Sequence, residues 1–316
     1  MRTLEGYMHG INLGGWLSQC NHTKERYDTF IVEKDIEVIR RWGLDHVRVP
    51  VDYNLVEDTD GNYKADGFAY IDRALGWCEK YGLNMVLDLH KTYGFSFDAG
   101  EKETGFFESG YFQERFYRLW EKFAERYGMY SNRLAFELLN EVTDREYSDA
   151  WNRISTECIR RIRNIAPDIK ILLGGYYNNS ITALKDLPIP RDPNIVYNFH
   201  CYEPIKFTHQ GAPWVDWMDH DFRQSIDESE ASVSYFENLI GEAVKVSVER
   251  GVRLYCGEFG VIDRATPEDA AKWYKFICTV MEKYGIGHAA WSYKEMDFGL
   301  ADRRMDSVRG EILSVL

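Results

Sequence analysis

Eight short apolar runs recur along this chain, and helical patterns fill the intervals between them. The runs centre near His9–Leu13, His46–Val49, Asn84–Leu89, Leu134–Leu138, Lys170–Leu173, Ile195–Phe199, Arg253–Cys256 and Gly287–Trp291. Each is too short for a helix and apolar on both faces, as a strand covered on two sides must be. Between them Val32, Ile36 and Ile39 mark one helix, and Phe68, Ile71, Leu75 and Cys78 mark the next at steps of three and four. Tyr147, Trp151, Ile154, Cys158, Ile162 and Ile165 keep the same rhythm behind an expected N-cap at Asp144. Eight strands alternating with helices imply an α/β chain folded as a closed parallel (β/α)8 barrel, with the loops after the strands forming one mouth. No Pro/Gly/Ser linker, repeat or low-complexity segment interrupts the alternation, so residues 1–316 are expected to form one domain.

Composition removes several functions. A formal net charge of −13 argues against a nucleic-acid partner, because phosphate contacts need clustered Lys and Arg. No apolar stretch approaches the length of a membrane span, and the opening MRTLEGYMHGINLGG lacks the basic and apolar regions of a secretory leader. The expectation is a soluble protein, cytoplasmic or secreted after loss of a signal, with no membrane partner. Cysteines at 20, 78, 158, 201, 256 and 278 form no C-x-x-C pair and no metal-ligand spacing, so all are expected to be reduced. Aromatic residues make up 15% of the chain, a share that suits stacking on sugars as well as a large core.

Two carboxylates stand at matching places. Glu141 lies in LAFELLNEV (Leu134 to Val142) and Glu258 in RLYCGEFGV (Arg253 to Val261), each just past a buried run. One glutamate that holds a proton and one that stays ionised are what breaking an acetal requires. Read in order, the strand ends also give Arg48 from the second, Asp88 and His90 from the third, Asn140 beside Glu141 from the fourth, His200 and Tyr202 from the sixth, and Trp291 from the eighth. Asp88 and His90 share parity, as do His200 and Tyr202, so each pair faces one side of its strand. Two connections are long, Lys91 to Tyr111 and Cys201 to about Ser229. The second carries Trp214 and Trp217, read as a sugar-stacking wall, with a loop packed on its own tryptophans as the alternative. His220 between Asp219 and Asp221 reads as a solvated acidic loop rather than a metal site.

These motifs resemble glycoside hydrolase family 5 over most of the chain. LAFELLNEV is similar to the family's Asn-Glu signature, and GINLGGW, DHVRVPVDY, LDLH, YNFHCYEP, YCGEFGV and AAWSYKEMDF resemble its other strand ends. The nearest likeness is to its bacterial endoglucanases and mixed-linkage β-glucanases. The resemblance implies Glu141 as acid/base and Glu258 as nucleophile, with Arg48 and Tyr202 touching the nucleophile and His200 beside the acid/base. It implies Asn140 on the sugar 2-hydroxyl, His90 in the −1 subsite and Trp291 as its platform. Lys91 departs from the second histidine that many members carry. The implied activity is a retaining cleavage of β-1,4 or mixed β-1,3/1,4 glucan, with an oligo- or polysaccharide as substrate and no metal or organic cofactor. Arg48 and Tyr202 are expected to lower the pKa of Glu258, and a less polar niche to raise that of Glu141. A β-mannanase or an exo-β-1,3-glucanase would use the same eight residues. A carbohydrate-binding barrel without turnover and a metal-dependent lyase are the readings from other classes.

Overall fold

The computed structural model describes residues 3–98 and 100–316. Its strands are β1 (His9–Asn12), β2 (His46–Asp52), β3 (Asn84–Lys91), β4 (Leu134–Glu137), β5 (Lys170–Leu173), β6 (Ile195–His200), β7 (Arg253–Glu258) and β8 (Gly287–Ala290). All pair in parallel, and β8 returns to β1 through His9 opposite His288, which closes the barrel. Every expected run therefore contributes a strand.

Helices Glu33–Arg41, Ala65–Tyr81, Gly110–Tyr127, Ser148–Ile165, Val233–Arg250 and Pro267–Tyr284 surround it. Several start on side-chain caps: Ser109 accepts from the Phe112 N–H, Ser232 from Tyr235, and Thr266 from Asp269. Asp144 precedes a 3-10 turn at Arg145–Tyr147 rather than the helix itself, and its side chain makes no cap bond. The alternation also thins between β5 and β6, where only Tyr176–Asn179 and a 3-10 stretch at Ile181–Asp186 intervene. Pro188, Pro190 and Pro193 withhold amide donors there, so no long helix can run through.

Two apolar layers hold the barrel. The larger lies between strands and helices and buries Trp16, Trp120, Trp151 and Trp273. The smaller fills the interior with Val86, Ala135, Leu172, Val196, Tyr255 and Ala289, plugged from below by Leu4 and Tyr7. Inward positions then turn polar towards the mouth, through Arg48, Glu137 and Asn198 to Asp88, His90 and His200. All six cysteines are free, and five are buried. No helix among the described residues is long and apolar enough to cross a membrane.

Candidate active site

Arg48 is the hub of the mouth. Its guanidinium is fully buried and uses its donors in five directions. Nε and Nη2 hold Glu137 at 2.7 and 2.8 Å, and Nη2 also meets Asn140 Oδ1 at 2.8 Å and Asp88 Oδ2 at 3.0 Å. Nη1 reaches Asn12 Oδ1 at 2.9 Å and Glu258 Oε1 at 2.6 Å. One cation thus faces three carboxylates. A planar fork can do this where an ammonium could not.

Glu258 is aimed by a break in register. Tyr255 points into the barrel, so strict alternation would turn Glu258 outward. The β6–β7 pairing slips between Phe199 and His200, passing from Cys256 directly to Glu258 and skipping Gly257. That bulge swings the carboxylate inward. There Tyr202 donates its hydroxyl to Oε2 at 2.9 Å, and His200 Nδ1 lies 3.7 Å from the same oxygen. The expected lowering of its pKa does not emerge. Burial is the largest influence and raises the carboxyl above its ordinary value, the charge of Glu141 adds to this, and His200 and Arg48 oppose it.

Glu141 stands four residues past the end of β4, with a left-handed φ of 42°. Its backbone strain is of the kind that marks working residues. Oε1 meets His200 Nδ1 at 2.7 Å, and Oε2 accepts from Asn178 Nδ2 at 2.9 Å. Burial pushes this carboxyl up as well, with the Asn178 amide the leading opposing influence. The two glutamates differ in their partners. A guanidinium and a phenol stabilise the anion of Glu258, whereas Glu141 has an amide and an imidazole that burial depresses to about 4 and so keeps neutral. Glu141 is the better placed to carry a proton.

The remaining expected residues line the same space. His90 pairs through Nδ1 with Asp88 Oδ2 at 2.6 Å, on the one side of β3 where their shared parity put them. Its ring lies parallel to Trp291, 5.8 Å between centroids at 3°. Trp291 fits because residue 14 is glycine, where a Cβ would come within 2.8 Å of the indole. Asn140 keeps its Nδ2 donor unpartnered in a buried setting, ready for a ligand oxygen. Lys91 is turned to other work, binding Glu101 at 2.7 Å.

Trp214 and Trp217 are not part of this cluster. They are 50% and 61% exposed in the loop after β6, and Trp214 touches the edge of His209 at 6.3 Å. His220 also stays apart, in a solvated turn where Asp219 caps the Asp221 N–H. Sequence reasoning missed Glu137, Asn12, Asn198, Asn178 and Asn179. Glu137 left a signal, since it is the charged residue inside the apolar LAFELL run; the asparagines left none. Among the described residues two trios bring donor atoms within 4.8 Å of one another, Glu141 with His200 and Glu258, and His9 with Glu282 and His288 at the opposite end of the barrel. In the first trio both carboxylates are already held by protein donors, an arrangement suited to proton transfer and attack.

The chain is similar to known enzymes over nearly its whole length. The family model described as cellulase (glycosyl hydrolase family 5) matches residues 10–297. Cellodextrinase A of Ruminococcus flavefaciens is 52% identical over 281 residues, which span 89% of this chain and 84% of that protein. Endoglucanase C of Acetivibrio thermocellus is 39% identical over 334 residues, 97% of each. The cellulose synthase subunit Z of Clostridioides difficile superposes with a TM-score of 0.85 at 29% identity, covering 98% of this chain and 99% of that one. With motif, barrel and near full-length similarity in agreement, this chain belongs to glycosyl hydrolase family 5.

Proposed function

We propose that the protein hydrolyses β-1,4 or mixed β-1,3/1,4 glucans with retention, by double displacement. The observation that carries this is the closeness of the two glutamates: one oxygen of each lies within 4.8 Å of the other, and both border His200 Nδ1, at 2.7 and 3.7 Å, which favours the shorter of two known arrangements. Retaining glycosidases place their carboxyl groups about 5–5.5 Å apart so that one can attack carbon, while inverting ones leave roughly 6.5–9.5 Å for a water. Glu258 attacks the anomeric carbon as Glu141 protonates the departing oxygen, giving a glycosyl-enzyme. Glu141, now an anion, takes a proton from water, and the hydroxide equivalent displaces Glu258 with a second inversion. Arg48 and Tyr202 hold Glu258 in attacking position and stabilise it as leaving group. Asn140 Nδ2 bonds the sugar 2-hydroxyl, a contact that tightens in the oxocarbenium-like transition state. His90 and Trp291 shape the −1 subsite, and the open rings of Trp214 and Trp217 stack sugars further out.

A glucan substrate is supported by relatives named cellodextrinase and endoglucanase. The test is proton NMR of early products, combined with release assays on barley β-glucan, carboxymethylcellulose, laminarin and mannan. A β-anomer appearing first, with release from the first two polymers, is the expected result. An α-anomer appearing first refutes the double displacement. Release confined to mannan or laminarin moves the substrate and leaves the mechanism standing.

A further inference from the structure

Tyr177, Asn178 and Asn179, just behind β5, have φ of 51°, 57° and 55°. Residues with a Cβ resist this left-handed region, asparagine least of all. Three in succession persist only where surrounding contacts hold them. Those contacts lead to Glu141. The Tyr177 and Asn178 N–H groups donate to the carbonyls of Thr143 and Val142, both at 3.0 Å, which stitches the turn to the segment following that glutamate. The Asn178 amide then donates to Glu141 Oε2, and the buried Asn179 amide lies 3.3 Å from His200 Nε2. Gly174 makes room for it, because a Cβ there would stand 2.1 Å from Asn179 Oδ1.

We propose that this left-handed turn is the positioning device of the general acid: Asn178 holds the Glu141 carboxyl, and Asn179 fixes the tautomer of His200. The inference rests on Glu141 being the acid/base. An amide N–H directed at Nε2 makes that nitrogen an acceptor and places the imidazole proton on Nδ1. From Nδ1 it is donated to Glu141 Oε1, 2.7 Å away. Each carboxyl oxygen then has one fixed donor, and both donors stabilise the anion left after the proton departs. The other tautomer would leave a bare Nδ1 beside Glu141, able to take the proton meant for the leaving group. Other charged or titratable groups that act on Glu141 come from β2 (Arg48), β3 (His90 and Asp88), β7 (Glu258) and the start of the loop after β6 (Tyr202). Of these, Glu258 also bears on the His200 tautomer, since its Oε2 lies 3.7 Å from Nδ1 and favours the proton there, in the same sense as Asn179.

The test uses Asn179→Leu and Asn178→Ala, with Glu141→Ala as reference, on aryl β-cellobiosides whose leaving groups run from dinitrophenol to weakly acidic phenols. Asn178 is solvent-exposed, so its truncation leaves the core untouched. For Asn179→Leu, kcat/KM on weakly acidic leaving groups should fall at least ~10-fold while dinitrophenyl cellobioside stays within ~3-fold, a share of the roughly 10²–10⁴ that positioned proton transfer supplies. Asn178→Ala should move the alkaline limb of the pH profile upward, since the Glu141 anion loses a donor. A general packing defect would depress all substrates alike and leave that limb in place. Equal losses across the series in Asn179→Leu with an unmoved limb in Asn178→Ala overturn the proposal, provided Glu141→Ala itself discriminates between leaving groups. If Glu141→Ala fails to discriminate, the acid/base reading falls and takes this inference with it.

Discussion

Glu137 is shut off from solvent beneath the mouth, yet its replacement should be felt throughout it. Its side chain is fully buried and surrounded by donors: Arg48 Nε on Oε2, and Arg48 Nη2 and Asn198 Nδ2 on Oε1. Burial raises the carboxyl and the charge of Asp88 adds to it, against the pull of Arg48. Three donors on two oxygens leave no acceptor for a proton of its own, so the hydrogen bonds argue for the ionised form. Glu137→Gln preserves shape but offers one oxygen where two are used, and turns an NH₂ group towards an N–H. The loss is one charge-assisted hydrogen bond, about 1.5–3 kcal/mol, plus a buried donor left facing a donor. Removing a whole partner from a buried pair costs about 3–5 kcal/mol. Asp88 and Glu258 still neutralise Arg48 here, so about 3 kcal/mol is the expected penalty. Over 316 residues an unfolding entropy of about 2.1 cal/mol/K per residue converts this into a Tm lower by about 5 °C. Calorimetry at neutral pH reads it directly. A Tm within about 1 °C of the parent would mean that Glu137 is already protonated and that the donor count misleads.

Three further outcomes follow from the site. Glu258→Gln should lose at least ~10³-fold in kcat while still folding and binding cello-oligosaccharides, because an amide cannot form the glycosyl-enzyme; activity within about tenfold of the parent would remove it from the role. Trp214→Ala and Trp217→Ala should raise KM on polymeric glucan and spare short aryl glycosides, whereas equal losses on both substrates would favour the packed-loop reading. The pH profile of kcat/KM should rise as pH climbs through the pKa of Glu258, which must be ionised, and fall as pH climbs through that of Glu141, which must be protonated. Burial raises both groups, so both limbs should lie above about pH 4.3, the value of an unperturbed glutamate; an acidic limb below that would show that Arg48 and Tyr202 outweigh burial at Glu258.

The parts of this molecule that could be read from residue order are those governed by a fixed period. Strands alternate side chains, so parity put Asp88 and His90 on one side of their strand, and the structure joins them at 2.6 Å. Apolar steps of three and four marked the helices Glu33–Arg41, Ala65–Tyr81 and Ser148–Ile165, although the expected cap at Asp144 makes no cap bond, and after β5 no long helix forms. The two glutamates proposed for catalysis belong to a different class. Glu258 faces inward because Gly257 is skipped in the register, and Glu141 lies past its strand on a left-handed backbone. Neither irregularity has a period, so the sequence showed that both stand just past buried runs but not which way they face. Asn178 and Asn179 show where the sequence signal ends. They lie 37 and 21 residues from the side chains they serve, and what brings them there is a turn stitched to another loop. A period of two or of three and a half builds the barrel, but contacts of this second kind decide which proton sits on which atom, and they exist only once the barrel has closed.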